Sequence, residues 1–306
     1  MQTTIVGSQR RPGLIDAAPA IFVLLWSTGF IGARYGLPYI EPFTFLEIRF
    51  VIATTALALI ALVLRAPLPS RTGLAHSAVV GVLLHGGYLG GVFYAIDNGM
   101  PAGVSALIVS MQPVLTAVLA PMLLGERVNG RQWAGLGLGL LGVALVIGEK
   151  LSLGGAVPVI TAATLTASLI ALFSTTGATL YQKYHGAGIP LLWGTATQYA
   201  AAAVLMLALA SSVETRTITW APQLFFAMAW LVCVLSLGAV LLLMFIIRRT
   251  SAARTASLFY LVPPATAIEA YLIFGERFGL VALVGLIFAV AGVALVTVQG
   301  KPKIKV

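Results

Sequence analysis

The chain has 306 residues, 59% of them hydrophobic and only 9% charged, with a formal net charge of +9. With a mean hydropathy of +1.01 it cannot cover a water-facing surface, because a soluble domain carries about 25% charged residues. Soluble enzyme, nucleic-acid binder and disordered scaffold are excluded as readings of the whole chain, and the positive balance is assigned to basic cytoplasmic loops.

A membrane-crossing helix needs about 20 mostly apolar residues. Ten stretches meet this need: 16–36, 42–64, 74–97, 102–124, 130–148, 156–183, 190–210, 222–248, 254–274 and 278–298. Short connections with turn residues separate them, among them Pro67, Pro101, Gly125, Gly186 and Pro222. The first stretch is long enough to span, so it reads as a membrane helix rather than a cleaved signal.

The first span carries Trp26. The second carries Glu47 and Arg49, which are two apart and so do not face each other on a helix. Each is costly in lipid and should meet a partner or water, as a structural pair or as a ligand for substrate or proton. In the third span a stripe of Gly81, His85, Tyr88 and Val92 opposes Gly86, Gly87, Gly90 and Gly91. The glycine face invites close helix approach, leaving an imidazole and a phenol to line a cavity or to bond between helices. The fourth span repeats the pattern with Ser105, Val109, Gln112 and Thr116, and Pro113 marks a hinge. Gly135, Gly137 and Gly139 sit in an apolar helix and read as packing glycines. The sixth span is rich in hydroxyls, which bond to backbone and ease bending. Trp193 opens the seventh. The ninth has the stripe Thr255, Phe259, Val262 and Thr266, with Tyr260 beside it, Glu269 near its end and a hinge at Pro263-Pro264.

The chain also repeats itself. Shifting 102–127 by 150 residues aligns it with 252–277 without a gap, including Pro113 with Pro263 and the Gly-Glu-Arg triplets at 125–127 and 275–277. The same shift superposes Gly142–Val146 on Gly292–Val296. Two copies of a five-helix unit follow, 1–150 including an N-terminal tail and 151–306 including a basic C-terminal tail. Five is odd, so the second copy sits inverted, an architecture of alternating-access transporters with a midplane site. With a cytoplasmic N-terminus, thirteen Lys and Arg fall on cytoplasmic segments and four opposite, with Arg49 inside a span. Both termini are therefore expected in the cytoplasm.

Leu25-Trp26-Ser27, Arg49 after Pro42, Tyr94-Ala95-Ile96 before Pro101-Ala102-Gly103-Val104, Pro113 and Gly125-Glu126-Arg127 together resemble the drug/metabolite transporter superfamily, EamA type. Nearly the whole chain is covered, and the likeness is greatest to the YddG-type aromatic amino-acid exporters. The family often has Trp-Gly where this chain has Trp26-Ser27, and Arg49 has no counterpart in the second copy, which carries Thr197 and Gln198. The resemblance implies a multi-pass transporter of the bacterial inner membrane that exports amino acids, aromatic or large apolar ones preferred. A broad small-metabolite or drug exporter is the alternative; an intramembrane enzyme or a non-transporting receptor stands behind both.

The candidate substrate walls are Trp26, His85, Tyr88, Gln112, Trp193, Phe259 and Tyr260, expected around a cavity between the third, fourth, eighth and ninth spans. Glu47, Arg49 and Glu269 are candidates for a charge pair or for ion or proton binding. The three histidines lack metal-ligand spacing, the single cysteine Cys233 allows no disulfide within the chain, and no Gly-Lys-Ser/Thr phosphate loop is present. No metal, cofactor, nucleic acid or ATPase subunit is expected; the partners are a small-molecule substrate and the lipid bilayer.

Overall fold

A computed structural model describes residues 14–100, 105, 108–153, 161–262, 264–265, 268–269, 272 and 279–297. Its regular structure is helical, and one isolated antiparallel bridge joins Ile40 to Ile218. The helices are α1 (Leu14–Gly36), α2 (Pro42–Val63), α3 (Arg71–Asp97), α4 (Gln112–Leu124) and α5 (Gly130–Leu153). They continue with α6 (Ala162–His185), α7 (Leu191–Val213), α8 (Pro222–Arg249), α9 (beginning at Ala252–Ser257) and α10 (Leu280–Thr297). Among the described residues α2, α3, α6, α7 and α8 are each long and apolar enough to cross a membrane. Shorter apolar stretches occupy Ala17–Gly29, Gln112–Leu124 and Leu280–Val296.

Local chemistry sets the ends. α3 starts three residues earlier than hydropathy suggests, because the Ser70 hydroxyl accepts from Gly73 N at 3.1 Å and caps the helix. α6 starts at Ala162 behind a Thr161–Thr164 capping box; residues 156–160 of the expected sixth span lie outside the described residues. The Gly-Glu-Arg triplet gains a physical role here. Gly125 ends α4 in the left-handed conformation (φ 67°), and Glu126 Oε2 then accepts from Ala252 N at 2.9 Å to cap α9. Glu149 does the same for α10, accepting from Gly279 N and Ala282 N.

α3 is π-wound over Val82–Leu89 and α8 over Leu231–Ala239, so the widened turns recur at the 150-residue shift. Such turns often mark functional positions in helices. α4 is likewise preceded by a broken turn, Met111 N to Ile108 O, and Pro113 occupies its first turn, where a missing N–H costs nothing. In α9 a 3-10 turn covers Leu258–Leu261 ahead of the buried Pro264. Pro263 and Thr266 lie outside the described residues.

Glycines set the closest approaches. α5 and α10 run antiparallel in contact. A Cβ on Gly135 would lie 2.7 Å from the Gly292 carbonyl oxygen, and one on Gly142 would lie 2.5 Å from that of Gly285. Gly139 also packs on Gly292 and on the Tyr260 ring, whereas Gly137 faces open space. The glycine face of α3 meets α6 and α7 as expected: Gly87 abuts Ser174, Gly91 the Ala167 carbonyl and Gly86 Leu205. Gly81 is not on the cavity side; it rests on the backbone of Gln198 in α7.

Where α2 begins and α7 ends, two carboxylates tie the loops together. Glu214 accepts from Phe43 N (2.6 Å) and Thr44 N (2.8 Å) at the start of α2. Glu41 accepts from Thr215 N, Thr215 Oγ1 and Thr217 N. Burial works against the Glu41 charge, but the hydrogen bonds from Thr215 and Thr217 outweigh it and hold this carboxyl below the ordinary glutamate range.

Candidate functional site

Arg49 is the side chain around which the site is built. It lies two turns into α2 and is 4% exposed. Its Nε donates to Ser236 Oγ of the π-wound part of α8 at 3.1 Å, and its guanidinium lies 5.8 Å from the Phe50 ring centre. No carboxylate lies within 4 Å of it among the described residues. Glu47 points the other way, as their spacing requires, and pairs with Arg216 at 2.7 Å near the surface. A buried guanidinium without a counter-ion is costly.

Arg49 and Tyr88 open into a cavity of about 50 Å³ whose other walls include Trp26, Gly29, Phe93 and Leu235. Trp26 is the wall of this cavity that belongs to an aromatic box, whose other two rings, Phe22 and Phe259, pack behind it. Trp26 lies 5.2 Å from Phe22 and 5.6 Å edge-on from Phe259, and Phe22 meets Phe259 at 5.5 Å. The helices around the cavity are α1, α2, α3 and α8, with α9 contributing Phe259 behind Trp26. The sequence placed it between the third, fourth, eighth and ninth spans; α4 is not among its walls.

His85 sits behind this cavity, fully buried. It stacks on Tyr199 at 4.2 Å and 22° and lies 5.8 Å from Phe50. Among the described residues neither ring nitrogen has a partner in good hydrogen-bonding geometry, nor does the Oε1 of Gln198, although the Gln198 side chain lies beside the ring. Gln198 Nε2 donates to Gln182 Oε1 at 3.2 Å, and Tyr199 OH donates to the Ser236 carbonyl at 3.3 Å. Arg49, Ser236, Tyr199, His85, Gln198 and Gln182 thus form one buried polar column. Tyr199 occupies in the second copy the place of Arg49 in the first, and both reach Ser236. Sequence reading missed Ser236, Tyr199 and Gln182 as site residues; the 150-residue shift applied to Arg49 points to Tyr199.

The other predicted residues lie elsewhere. Gln112 donates to Thr179 Oγ1 at 3.1 Å, because the hydroxyl face of α6 takes up the polar stripe of α4; Ser168 likewise reaches Ser105. The Gln112 Oε1 and the Thr116 and Thr175 hydroxyls in this seam are buried without partners among the described residues. Trp193 Nε1 donates to the Ala66 carbonyl in the loop after α2 at 3.2 Å, apart from the aromatic box. Tyr260 is buried on α5, its hydroxyl without a partner among the described residues. Glu269 Oε1 accepts from Ser27 Oγ at 2.5 Å, next to Trp26 in sequence, and no cation pairs with it among the described residues. His76 and His185, remote in sequence, stack at 4.2 Å where α3 begins and α6 ends; His76 Nδ1 lies 2.8 Å from Tyr181 OH. Groups of three or more His, Cys, Asp or Glu placed to hold a metal are absent among the described residues.

Residues 16–148 and 162–298 each match the EamA-like transporter family. The chain belongs to that family. It is a multi-pass membrane transporter made of two family repeats. EamA-like relatives include the "Probable amino-acid metabolite efflux pump" of Escherichia coli, 30% identical over 132 residues, covering 43% of this chain and 42% of the pump. The "Uncharacterized transporter YvbV" of Bacillus subtilis is 27% identical and covers 92% of this chain and 91% of its own. The "Probable terminal-alkyne amino-acid exporter" of Streptantibioticus cattleyicolor is 27% identical, covering 91% and 92%. A solved crystal structure shares the fold with a TM-score of 0.75 at 20% identity, covering 93% of this chain and 96% of that one.

Proposed function

We propose that this EamA-like transporter exports amino acids, with the Arg49 guanidinium holding the α-carboxylate and the side chain lying against Trp26, which Phe22 and Phe259 back from behind. The observation that carries this reading is the buried Arg49 without a carboxylate partner, opening into a cavity walled by aromatic rings. A guanidinium matches a carboxylate in charge and fork geometry. An aromatic wall favours aromatic or large apolar side chains. The names of two relatives, an amino-acid metabolite efflux pump and an amino-acid exporter, point the same way.

Transport proceeds by alternating access between two inverted five-helix repeats, 1–150 and 151–306, that make ten spans. The gapless 150-residue shift, the matched π-wound turns of α3 and α8, and the crossed glycine contacts of α5 and α10 support the inversion. A cavity of about 50 Å³ has room for about one or two waters, each taking about 30 Å³, so the walls part to admit substrate. The excess of Lys and Arg on one side supports a topology with both termini in the cytoplasm of a bacterial cell and the chain in the inner membrane.

The test is counterflow in proteoliposomes with phenylalanine, alanine and phenethylamine, the last lacking only the carboxylate. Phenylalanine exchanges well and phenethylamine does not. Arg49→Ala lowers phenylalanine affinity by about 10- to 100-fold, the scale of a charge-assisted hydrogen bond of about 1.5–3 kcal/mol, and Arg49→Lys by less. Equal exchange of phenylalanine and phenethylamine would refute the carboxylate assignment.

A further inference from the structure

A larger hollow than the central cavity lies on the flank of the molecule. α6 and α7 both pack on α3 rather than side by side, and the space between them forms a groove of about 910 Å³. Its floor includes Gly86, Gly87, Gly90 and Gly91 of α3, the same glycines that let α6 and α7 approach this helix closely. Ile170 of α6 and Leu205 and Leu209 of α7 form the apolar sides. The flanking surface is apolar as well, with Ile170, Val204 and Val213 at least half exposed. In a membrane this face meets hydrocarbon, so an occupant enters from the bilayer.

The groove has a direction. It starts at mid-helix near Gly86 and ends at Asp97 and Asn98, where α2 begins and α7 finishes. That stretch of α3 is about 16 Å long at 1.5 Å per residue, close to one leaflet of a hydrocarbon core about 30 Å thick. Three carboxyl groups stand at the open end: Glu41, Asp97 and Glu214. Glu41 and Glu214 are engaged in tying the loops, and the exposed Asp97 makes no hydrogen bond or ion pair among the described residues.

We propose that this groove binds one acyl chain of an amine-headed phospholipid, with the chain lying on the α3 glycines and the primary ammonium donating to Asp97. The chemistry discriminates between headgroups. An ethanolamine ammonium offers three N–H donors, as a lysine does. A choline headgroup keeps the charge and has no donor. A glycerol headgroup has no cation, and its phosphate is repelled by the three carboxyls.

The experiment is native mass spectrometry of the detergent-purified protein with phosphatidylethanolamine, phosphatidylcholine and phosphatidylglycerol of identical acyl chains. The wild type retains the ethanolamine lipid about tenfold better than either of the others. Asp97→Asn removes that preference. Ala163→Trp, on the exposed groove wall, lowers retention of all three lipids. Equal retention of the three lipids by the wild type would overturn the proposal. So would an undiminished preference in Asp97→Asn, unchanged retention in Ala163→Trp, or a mass showing two protein copies joined through this face.

Discussion

At the scale of single residues, the site rests on contrasts between neighbours. Glu47 and Arg49 are two residues apart, yet one ends in a surface ion pair and the other, beside a cavity, has no carboxylate partner among the described residues. Sequence supplied their divergence, because a helix turns 100° per residue, but not their partners, which come from α8 and the loop after α7. The two tryptophans separate in the same way. Trp26 forms the aromatic box, whereas Trp193 anchors a loop. Trp26→Ala is therefore expected to weaken phenylalanine transport by about tenfold for each 1.4 kcal/mol of binding free energy removed with the ring, and to leave alanine nearly unchanged. Trp193→Ala is expected to lower all substrates alike, with folded yield. Initial rates against concentration for phenylalanine, methionine and alanine, normalised to folded protein, distinguish the two patterns. Equal fractional losses in Trp26→Ala would count against the aromatic wall.

At the scale of elements, hydropathy located the helices and the glycine pattern located their contacts. Gly135 and Gly139 pack as read from the sequence and Gly137 departs, since it faces outward; Gly142 packs with the first two. Substituting Gly142→Leu forces side-chain atoms into the backbone of α10 and is expected to cost about 1–3 kcal/mol or more, read as a lower unfolding temperature. Gly137→Leu is expected to be close to neutral. Helix ends were less legible. Glu126, Glu149 and Glu214 cap helices remote in sequence, and no local pattern announces a cap supplied by another helix. The π-wound turns were also hidden, because His85 and Tyr88 lie three apart and stay on the buried side under either winding. Glu41 gives a pH test. Its carboxyl is held below the ordinary range, so its contribution is full above the unfolded value of about 4.3 and fades as pH falls through its lowered folded value. Glu41→Gln is expected to be less stable than wild type at neutral pH and to converge with it on acidification below about pH 4. A stability difference that stays constant across that range would disprove the assignment.

At the scale of the whole molecule, the duplication was legible because 150 residues separate matching segments without a gap. The position of the cavity was not, since it depends on which polar stripe meets which. The α4 stripe found hydroxyls on α6, and the cavity formed instead where α1, α2, α3 and α8 meet. The orientation has a direct check. Reporter fusions at both ends should be active only in the cytoplasm, and a C-terminus labelled solely from outside would reverse the assignment of basic loops.

The glycine contacts between α5 and α10 are reciprocal: Gly135 meets Gly292, and Gly142 meets Gly285. Each glycine of one helix meets the counterpart of the other glycine in its own helix, which is how two subunits meet across a two-fold axis. Such a patch is complementary to itself. Under the inverted arrangement proposed above, a single five-helix protein able to insert in both directions would already carry it, and two oppositely inserted molecules would dock through it before any fusion joined them. The link between residues 153 and 162 then serves mainly to keep the two halves at equal number and high local concentration. Co-expressed fragments 1–157 and 158–306 are accordingly expected to co-purify, with Gly142→Leu in the first fragment abolishing the association.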